Sequence, residues 1–585
     1  MILLNAVDAR ALDTEAAASW GLDPFALVEA AGRCCAQVLA AAFPVPPRIV
    51  IFAGSGSNAA DAMVLLRSLL LSDHVAAERS ALVINKVPAD GSFSEEGAHT
   101  PRSGAFLSLQ KMGVPVLVWG NAEQANVLQD RLNTADLIID GIAGTGLEGP
   151  LRDQAAEMVN ALNKLKEARH NAQNPSPLLI ISIDVPSGNS DSWKPGMPIV
   201  EADATLAIEP LKLCLFRPAA RPYSGNILPV GEVFPPQLIA QFRRGRNLTT
   251  KDTKGTKEGE SLPSVFANRR FDASFVVNPP VAELFGWDHA RCLIPPVSRT
   301  AYKYERGVAE IRAGSPNAPG AARIAARGAQ AAGAGLVRLV VDSGLHPILA
   351  ANAGGVMVAG ADAAAGSGRF NPDAILLGPG WGKTPDREDM LARALEKEAA
   401  GIPLILDADA ILLAKDQVFH GNALLTPHPG ELAAYAGVSK DEILADPVPL
   451  LCKLAEEKNA VFLFKSHVMY VVAPERAAEA MGRGSPQAGR IGIIDGMAPV
   501  LGMGGSGDLL AGFCAGIAAR CFALQGRAAQ QGGPDLYTCA VAAASLLIAS
   551  AKAAPARTPF PSRRFLDPLE LADRAADLAG EAWLT

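Results

Sequence analysis

Residues 504–512 read Gly504-Gly505-Ser506-Gly507-Asp508-Leu509-Leu510-Ala511-Gly512, and an apolar run continues to residue 518 with helical spacing. A glycine turn that feeds a helix presents several N–H groups without intrahelical partners, and with them the positive end of the helix dipole. Such a turn is suited to an anion, above all a phosphate. Asp508 stands where a carboxylate can take a proton from a hydroxyl that faces that phosphate. The plain alternative is a glycine turn in which Asp508 only caps its helix.

Four further turns share this setting. Gly378-Pro379-Gly380-Trp381-Gly382 follows an expected strand Ala374–Leu377, and Asp407-Ala408-Asp409-Ala410 follows one expected over 402–406. Thr426-Pro427-His428-Pro429-Gly430-Glu431 follows Ala423–Leu425, and Lys465 ends Val461–Phe464. Taken singly these are turns, a capping aspartate and a surface histidine. Together they lie at strand carboxyl ends, where parallel sheets bind their ligands.

The first part of the chain carries a second α/β pattern. Asp23-Pro24 is an N-cap followed by proline at the first helical position, and a helix is expected over 25–43. Short β-rich runs over 49–53, 81–87, 115–119, 136–140 and 178–184 alternate with helical patterns, with closing strands at 204–208 and 226–233. That alternation predicts a parallel sheet covered on both faces. After the first run comes Gly54-Ser55-Gly56-Ser57-Asn58-Ala59-Ala60-Asp61-Ala62, a weak dinucleotide-fold signal. No acidic residue ends a second strand where a dehydrogenase needs it. Two more turns, 140–147 (Asp-Gly-Ile-Ala-Gly-Thr-Gly-Leu) and 184–188 (Asp-Val-Pro-Ser-Gly), each close a strand.

At 585 residues the chain is too long for one ordinary core. Residues 242–264 are poor in apolar side chains and rich in Lys, Arg, Thr and Gly, which reads as a linker. The expected domains are 1–235 and 295–585, with a linker or insertion over 236–294. A net charge of -7 argues against nucleic acid as a partner. The eight cysteines show no CxxC pairing, so reduced thiols are expected and a zinc site is not. The apolar runs noted, such as 177–185, are too short to span a bilayer, and the N-terminus lacks a signal-peptide pattern. A soluble cytoplasmic protein without a membrane partner is the expectation.

The segment 320–337 (GAARIAARGAQAAGAGLV), GPGWG, DADA, TPHPGE, Lys465 and GGSGDLLAG occur in the order found in ADP- or ATP-dependent NAD(P)H-hydrate dehydratases, which this part of the chain resembles over about 295–550. The resemblance implies a ribokinase-like α/β/α domain. There a nucleotide, with Mg2+, phosphorylates the hydroxyl of hydrated NADH or NADPH, and loss of phosphate restores the cofactor. It implies Asp508 as the base. Gly504, Gly505, Ser506 and Gly507 would form the anion hole and, with Lys465, Ser466, His467, Val468 and Met469, contact ADP or its product AMP. Ala321, Gly382 and His428 would line the hydrate site with Asp508. Departures from the family pattern are Tyr302-Lys303-Tyr304, Arg312 and Ser466.

The loop 54–62, the turns 140–147 and 184–188, Ala202-Asp203-Ala204-Thr205 and Lys212 resemble the NAD(P)H-hydrate epimerase domain over about 1–235. That implies a Rossmann-like three-layer α/β/α sandwich that interconverts the R and S hydrates. Asn58, Asp140 and Ser187 would hold a potassium ion, and Asp184 would be the acid/base group. Ser57, Asn58, Ala59, Ala60 and Asp61 would contact the hydrate, as would Gly144, Thr145, Gly146, Leu147, Glu148, Gly149 and Pro150. The family's Asn-Asn-Gly-Gly-Asp-Gly reads Ser-Asn-Ala-Ala-Asp-Ala here, which places Cβ atoms where glycine allows close approach. Self-association is a further expectation. The rival readings are a hydroxymethylpyrimidine- or thiazole-type kinase with a non-catalytic first domain, and a nucleotide-sensing or protein-binding scaffold.

Overall fold

The computed structural model describes residues 1–44, 48–85, 101–171, 178–243, 282–351, 353–361, 371–474, 490–528, 534–553 and 567–584. Two compact units divide the chain, Met1–Val281 and Ala282–Thr585.

The first unit holds a parallel sheet in the order Val116–Val118, Ser80–Ile84, Ile49–Ala53, Leu137–Gly141, Leu179–Ile183, Ala204–Ile208, Asn226–Val230. Alternate residues of one strand leave on opposite faces. Accordingly Ile49 and Ile51 join a cluster with Leu65, Leu66 and Leu109, whereas Val50 and Phe52 join one with Leu128, Met158 and Leu162. Helices Pro24–Ala42, Ser57–Leu71 and Pro101–Lys111 belong to the first face, and Ala125–Thr134 and Asp153–Asn171 to the second. This is the expected three-layer sandwich. The expected cap is in place: the Asp23 side chain accepts from Phe25 N–H at 2.7 Å, with Pro24 behind it. The runs expected over 81–87 and 226–233 stop earlier, at Ile84 and Val230.

Several elements were not expected. Helix Ala6–Trp20, capped by Asn5 and ended by Gly21 in the left-handed region, follows a strand Ile2–Leu4 that pairs in parallel with Leu211–Lys212. Its alanine-rich sequence has almost no amphipathic contrast, which hid it. Helix Pro236–Arg243 lies inside the stretch expected as linker, because Leu238 and Phe242 pack with Leu4, Leu12 and Ala16. Strand Ala282–Leu284 and helix Trp287–Ala290 lie within it too, in the second unit. The remainder of that linker, 244–281, falls outside the described residues.

In the second unit the strands run Met357–Gly360, Leu336–Val341, Val308–Arg312, Ala374–Leu377, Leu404–Leu406, Ala423–Leu425, Val461–Phe464, Val468–Val472, Ile491–Asp495, Ala282–Leu284. Val468–Val472 is antiparallel to both neighbours, and the other pairings are parallel. The turn 465–467 is short enough to make a hairpin there, since parallel strands need a long crossover. Helix Ser506–Ala528 packs on Pro319–Ala331 so closely that a Cβ on Gly512 would lie 2.2 Å from the Ala325 carbonyl oxygen. Only glycine permits that approach.

The apolar stretches are longer than the sequence reading allowed. Pro24–Ala42 and Ser506–Leu524 are both long and apolar enough to cross a membrane. The second is a core helix, 78% of its apolar window being buried inside the protein. The first lays Ala31, Cys35 and Leu39 into the core cluster it shares with helix Ser57–Leu71. None of the eight cysteines is in a disulfide.

Candidate active sites

The connections from Ile49–Ala53 and Leu137–Gly141 leave these adjacent strands in opposite directions, so a crevice opens beyond their carboxyl ends. A cavity of about 600 Å3 lies there. Ser55, Gly56, Ser57, Asn58 and Asp61 line it from the first turn, Ile142 to Leu147 from the second, and Asp184, Lys212, Arg10 and Asp13 complete its polar wall.

Asp184 sits in the left-handed region at φ 60°. Its Oδ1 accepts from Lys212 Nζ at 2.6 Å and from Ile208 N–H at 3.2 Å, and the ammonium also donates to the Ile208 carbonyl at 3.0 Å. Asp184 and Lys212 are 8% and 7% exposed, so water screens this pair little. Asp13 is open to the cavity, yet the surrounding protein, followed by the opposed effects of Lys212 and Asp184, pushes its carboxyl up to about 6. Asp61 is pushed well above the ordinary carboxylate range, by burial first and then by Asp184.

Beneath the second turn lies a buried oxygen cluster. Asp140 Oδ1 accepts from Ser187 Oγ at 2.5 Å and Ile142 N–H at 3.2 Å, and Oδ2 from Ser182 Oγ at 2.7 Å and Ser187 N–H at 2.8 Å. Burial raises the Asp140 carboxyl, and these bonds oppose the rise. Asn58 Nδ2 donates to the Ala143 carbonyl at 3.2 Å, while its buried Oδ1 has no partner among the described residues. Ser187 Oγ also lies 3.0 Å from that carbonyl. An orphaned amide oxygen beside a carboxylate, a hydroxyl and a carbonyl fits a hard cation held by oxygen.

Of the residues expected around the hydrate in this unit, Ser57, Asn58, Asp61, Gly144, Thr145, Gly146, Leu147 and Asp184 line the cavity. Ala59 and Ala60 do not; they are 0% and 1% exposed in helix Ser57–Leu71, turned into the core. Neither they nor Ala62 has positive φ, so the alanines bring no backbone strain. Glu148, Gly149 and Pro150 also lie outside the lining, and Gly149 N–H is 3.2 Å from Ser192 Oγ.

In the second unit, helix Ser506–Ala528 opens on Gly505, whose φ of 93° only glycine takes without strain. Leu509 N–H returns to the Gly505 carbonyl at 3.0 Å, so the N–H groups of Ser506, Gly507 and Asp508 are the first-turn donors. Lys465 Nζ lies 2.5 Å from Asp407 Oδ1 and 3.9 Å from Glu431 Oε2, and a Cβ on Gly507 would stand 3.5 Å from it. Thr426 Oγ1 donates to the same Asp407 oxygen at 2.6 Å. Burial, then Asp407, push the Asp508 carboxyl up to about 6, with Lys465 opposing. Burial pulls the Lys465 ammonium down, but Asp407, Glu431 and Asp508 more than restore it, above its ordinary value. The glycine turn with Asp508 therefore converges with Asp407, Glu431 and Lys465, which follow three neighbouring strands.

His428 is the exposed N-cap of helix Pro429–Ala436: its Nδ1 accepts from Gly430 N–H at 2.9 Å, and Glu431 returns a bond to its own N–H. Gly382 N–H donates to Asp409 Oδ2 at 3.0 Å, and Ala321 abuts Gly380. Within the expected nucleotide stretch, Lys465, Ser466 and the exposed His467 form the turn. The side chains of Val468 and Met469 are 0% and 5% exposed in the following strand, so they are core residues. The sequence reading missed Arg10 and Asp13 because it missed their helix. Glu431 and Asp407 were noted only as parts of motifs; that both face Lys465 comes from the fold.

The family model described as YjeF-related protein N-terminus matches residues 24–214, and that described as NAD(P)H-hydrate dehydratase matches 309–561. The chain is 27% identical over 542 residues to the bifunctional NAD(P)H-hydrate repair enzyme Nnr of Moorella thermoacetica, covering 88% of each. To the enzyme of the same name from Escherichia coli it is 27% identical over 512 residues, covering 86% of this chain and 82% of that one. Among solved structures, the ADP/ATP-dependent NAD(P)H-hydrate dehydratase from Bacillus subtilis, co-crystallized with ATP/Mg2+, aligns with TM-score 0.42 and 22% identity over 52% of this chain and 99% of its own.

Proposed function

This chain belongs to the bifunctional NAD(P)H-hydrate repair enzymes, and from that premise we propose how its two units divide the work. The second unit performs nucleotide-driven dehydration of the S hydrate to NADH or NADPH, and the first interconverts the R and S hydrates. The observation that carries the reading is the convergence of the 504–507 turn, Asp508, Lys465, Asp407 and Glu431 at one helix N-terminus.

In this proposal Asp508 takes the proton of the hydrate hydroxyl as its oxygen attacks the terminal phosphorus of the nucleotide. The bond from that phosphorus to the bridging oxygen breaks. First-turn N–H groups and Lys465 then hold the charge that develops on the phosphoryl oxygens. Phosphate leaves the ring carbon with its bonding pair, a proton is lost from the neighbouring carbon, and the double bond returns. Magnesium, bound with ADP or ATP, would neutralise phosphate charge. In the first unit Asn58, Asp140 and Ser187 would hold potassium, which would offset the charge of the cofactor's phosphates; the orphaned Asn58 Oδ1 supports this. Eight cysteines without a disulfide are in keeping with a cytoplasmic setting, and self-association is part of the proposal, to be read by sedimentation.

The test is absorbance at 340 nm on purified protein given mixed R and S hydrates of NADH, with Mg2+, K+ and either ADP or ATP. Recovery of both epimers above the spontaneous rate is expected. Recovery of the S fraction alone removes the epimerase. No recovery with either nucleotide overturns the dehydratase and returns the small-molecule kinase to first place.

A further inference from the structure

Inverting a ring carbon that bears a hydroxyl, by breaking and remaking its C–O bond, needs a proton delivered on one face and taken up on the other. The C–O pair leaves with the hydroxyl, which takes a proton and departs as water, while the ring nitrogen's lone pair supports the cation. A water then adds to the opposite face and gives up a proton. No oxidant or reductant is involved, and one proton passes from donor to acceptor. A single carboxylate on one side of a ring held in one pose does not serve both faces.

The titratable side chains lining the cavity of the first unit are Arg10, Asp13, Asp61, Asp184 and Lys212. Arginine keeps its charge and its five donors throughout. Lys212 is committed to Asp184 and the Ile208 carbonyl. Asp61 is recessed, 7% exposed, with its Oδ1 buried. Among the described residues, Asp13 alone of these carboxyls is open to the cavity with no cation bonded to it. Asp184 lies deeper, its Oδ1 bonded to the Lys212 ammonium at 2.6 Å.

We infer that Asp13 and Asp184 are the two acid–base groups of the inversion, Asp13 giving the proton to the departing hydroxyl and Asp184 receiving one from the entering water. The roles exchange in the reverse direction. The assignment rests on the epimerase reading above. It requires one proton shared across the two carboxyls, and Asp13, pushed up to about 6, carries it at mildly acidic pH. The groups that face Asp13 are Lys212, Asp184 and Asp61, with Arg10 one turn away on its own helix.

The test uses the full chain, with nucleotide present so that its own second unit reports each S epimer formed. Asp13→Asn should lower kcat for the pure R hydrate by about 100-fold with KM little changed, a loss typical of a removed acid–base group. Asp13→Glu should restore part of it. The decline in wild-type rate as pH rises through about 6 should be absent from the residual rate of Asp13→Asn. Recovery from the S hydrate and the thermal transition of the first unit should stay as in wild type. A wild-type chain that leaves the R hydrate untouched overturns the epimerase reading and this assignment with it. An active wild type with Asp13→Asn within threefold of it, or a loss in KM alone, overturns the assignment only. So does a kcat loss in Asp61→Asn that Asp13→Asn does not share.

Discussion

Lys465→Met tests whether the second site is a buried electrostatic unit. In the wild type the ammonium stands 2.5 Å from Asp407 Oδ1, with side-chain exposures of 14% and 2%. Two unit charges at that distance attract by roughly 7 kcal/mol at an effective dielectric of about 20. Desolvation offsets much of this, and removing one partner of a buried pair costs about 3–5 kcal/mol. The Thr426 hydroxyl remains at 2.6 Å from Asp407, which puts the expectation near the lower end. Urea unfolding of the full chain should show the second-unit transition destabilised by about 3 kcal/mol, and heating should lower its Tm by about 6 °C or more. Because the folded Lys465 pKa lies above its ordinary value, its contribution is fully present at pH 7. The difference between wild type and variant should therefore hold to about pH 10 and fade above it, as the folded ammonium loses its proton. Lys465 also holds Asp508 down, so the kinetic pKa of the dehydratase should move above about 6 in the variant. A stability loss below about 1 kcal/mol, as for exposed pairs, would show that water reaches the cluster and refute this reasoning.

Three other outcomes follow from named residues. Asp508→Asn should cut dehydratase kcat by about 10²–10⁴-fold, and wild-type kcat/KM should rise with pH through about 6 as Asp508 ionises; a flat profile would exclude it as the base. Ala59→Gly and Ala62→Gly, which restore the family's usual residues, should each cost about 1 kcal/mol of stability without raising the rate on the R hydrate, since both sit in the core at 0% exposure. A faster epimerase would show that their Cβ atoms do obstruct the ligand. Asn58→Ala should abolish any stimulation of R-hydrate recovery by potassium over lithium; retained stimulation would place the ion elsewhere.

Local sequence determined the elements that depend on local chemistry. Asp23-Pro24 starts its helix through one side-chain bond and one fixed φ, and β-branched runs such as Ile49–Ala53 became buried parallel strands. The glycine turns at 378–382 and 504–507 were legible because few residues serve such turns, and motif order identified both domains. The functional consequence of Ala59 and Ala60 was not legible. Only packing shows that these residues face the core while Asn58 and Asp61 of the same helix face the cavity. Helix Ala6–Trp20 was hidden for want of amphipathic contrast, and with it Asp13. The Lys465–Asp407–Glu431 group and the Asp184–Lys212 pair join residues 58, 34 and 28 positions apart in sequence. Their distances, their burial and the raised carboxyls of Asp508 and Asp13 arise where strand ends converge and water is excluded. Tertiary structure alone decides them, because a charge's environment is set by what the fold brings around it.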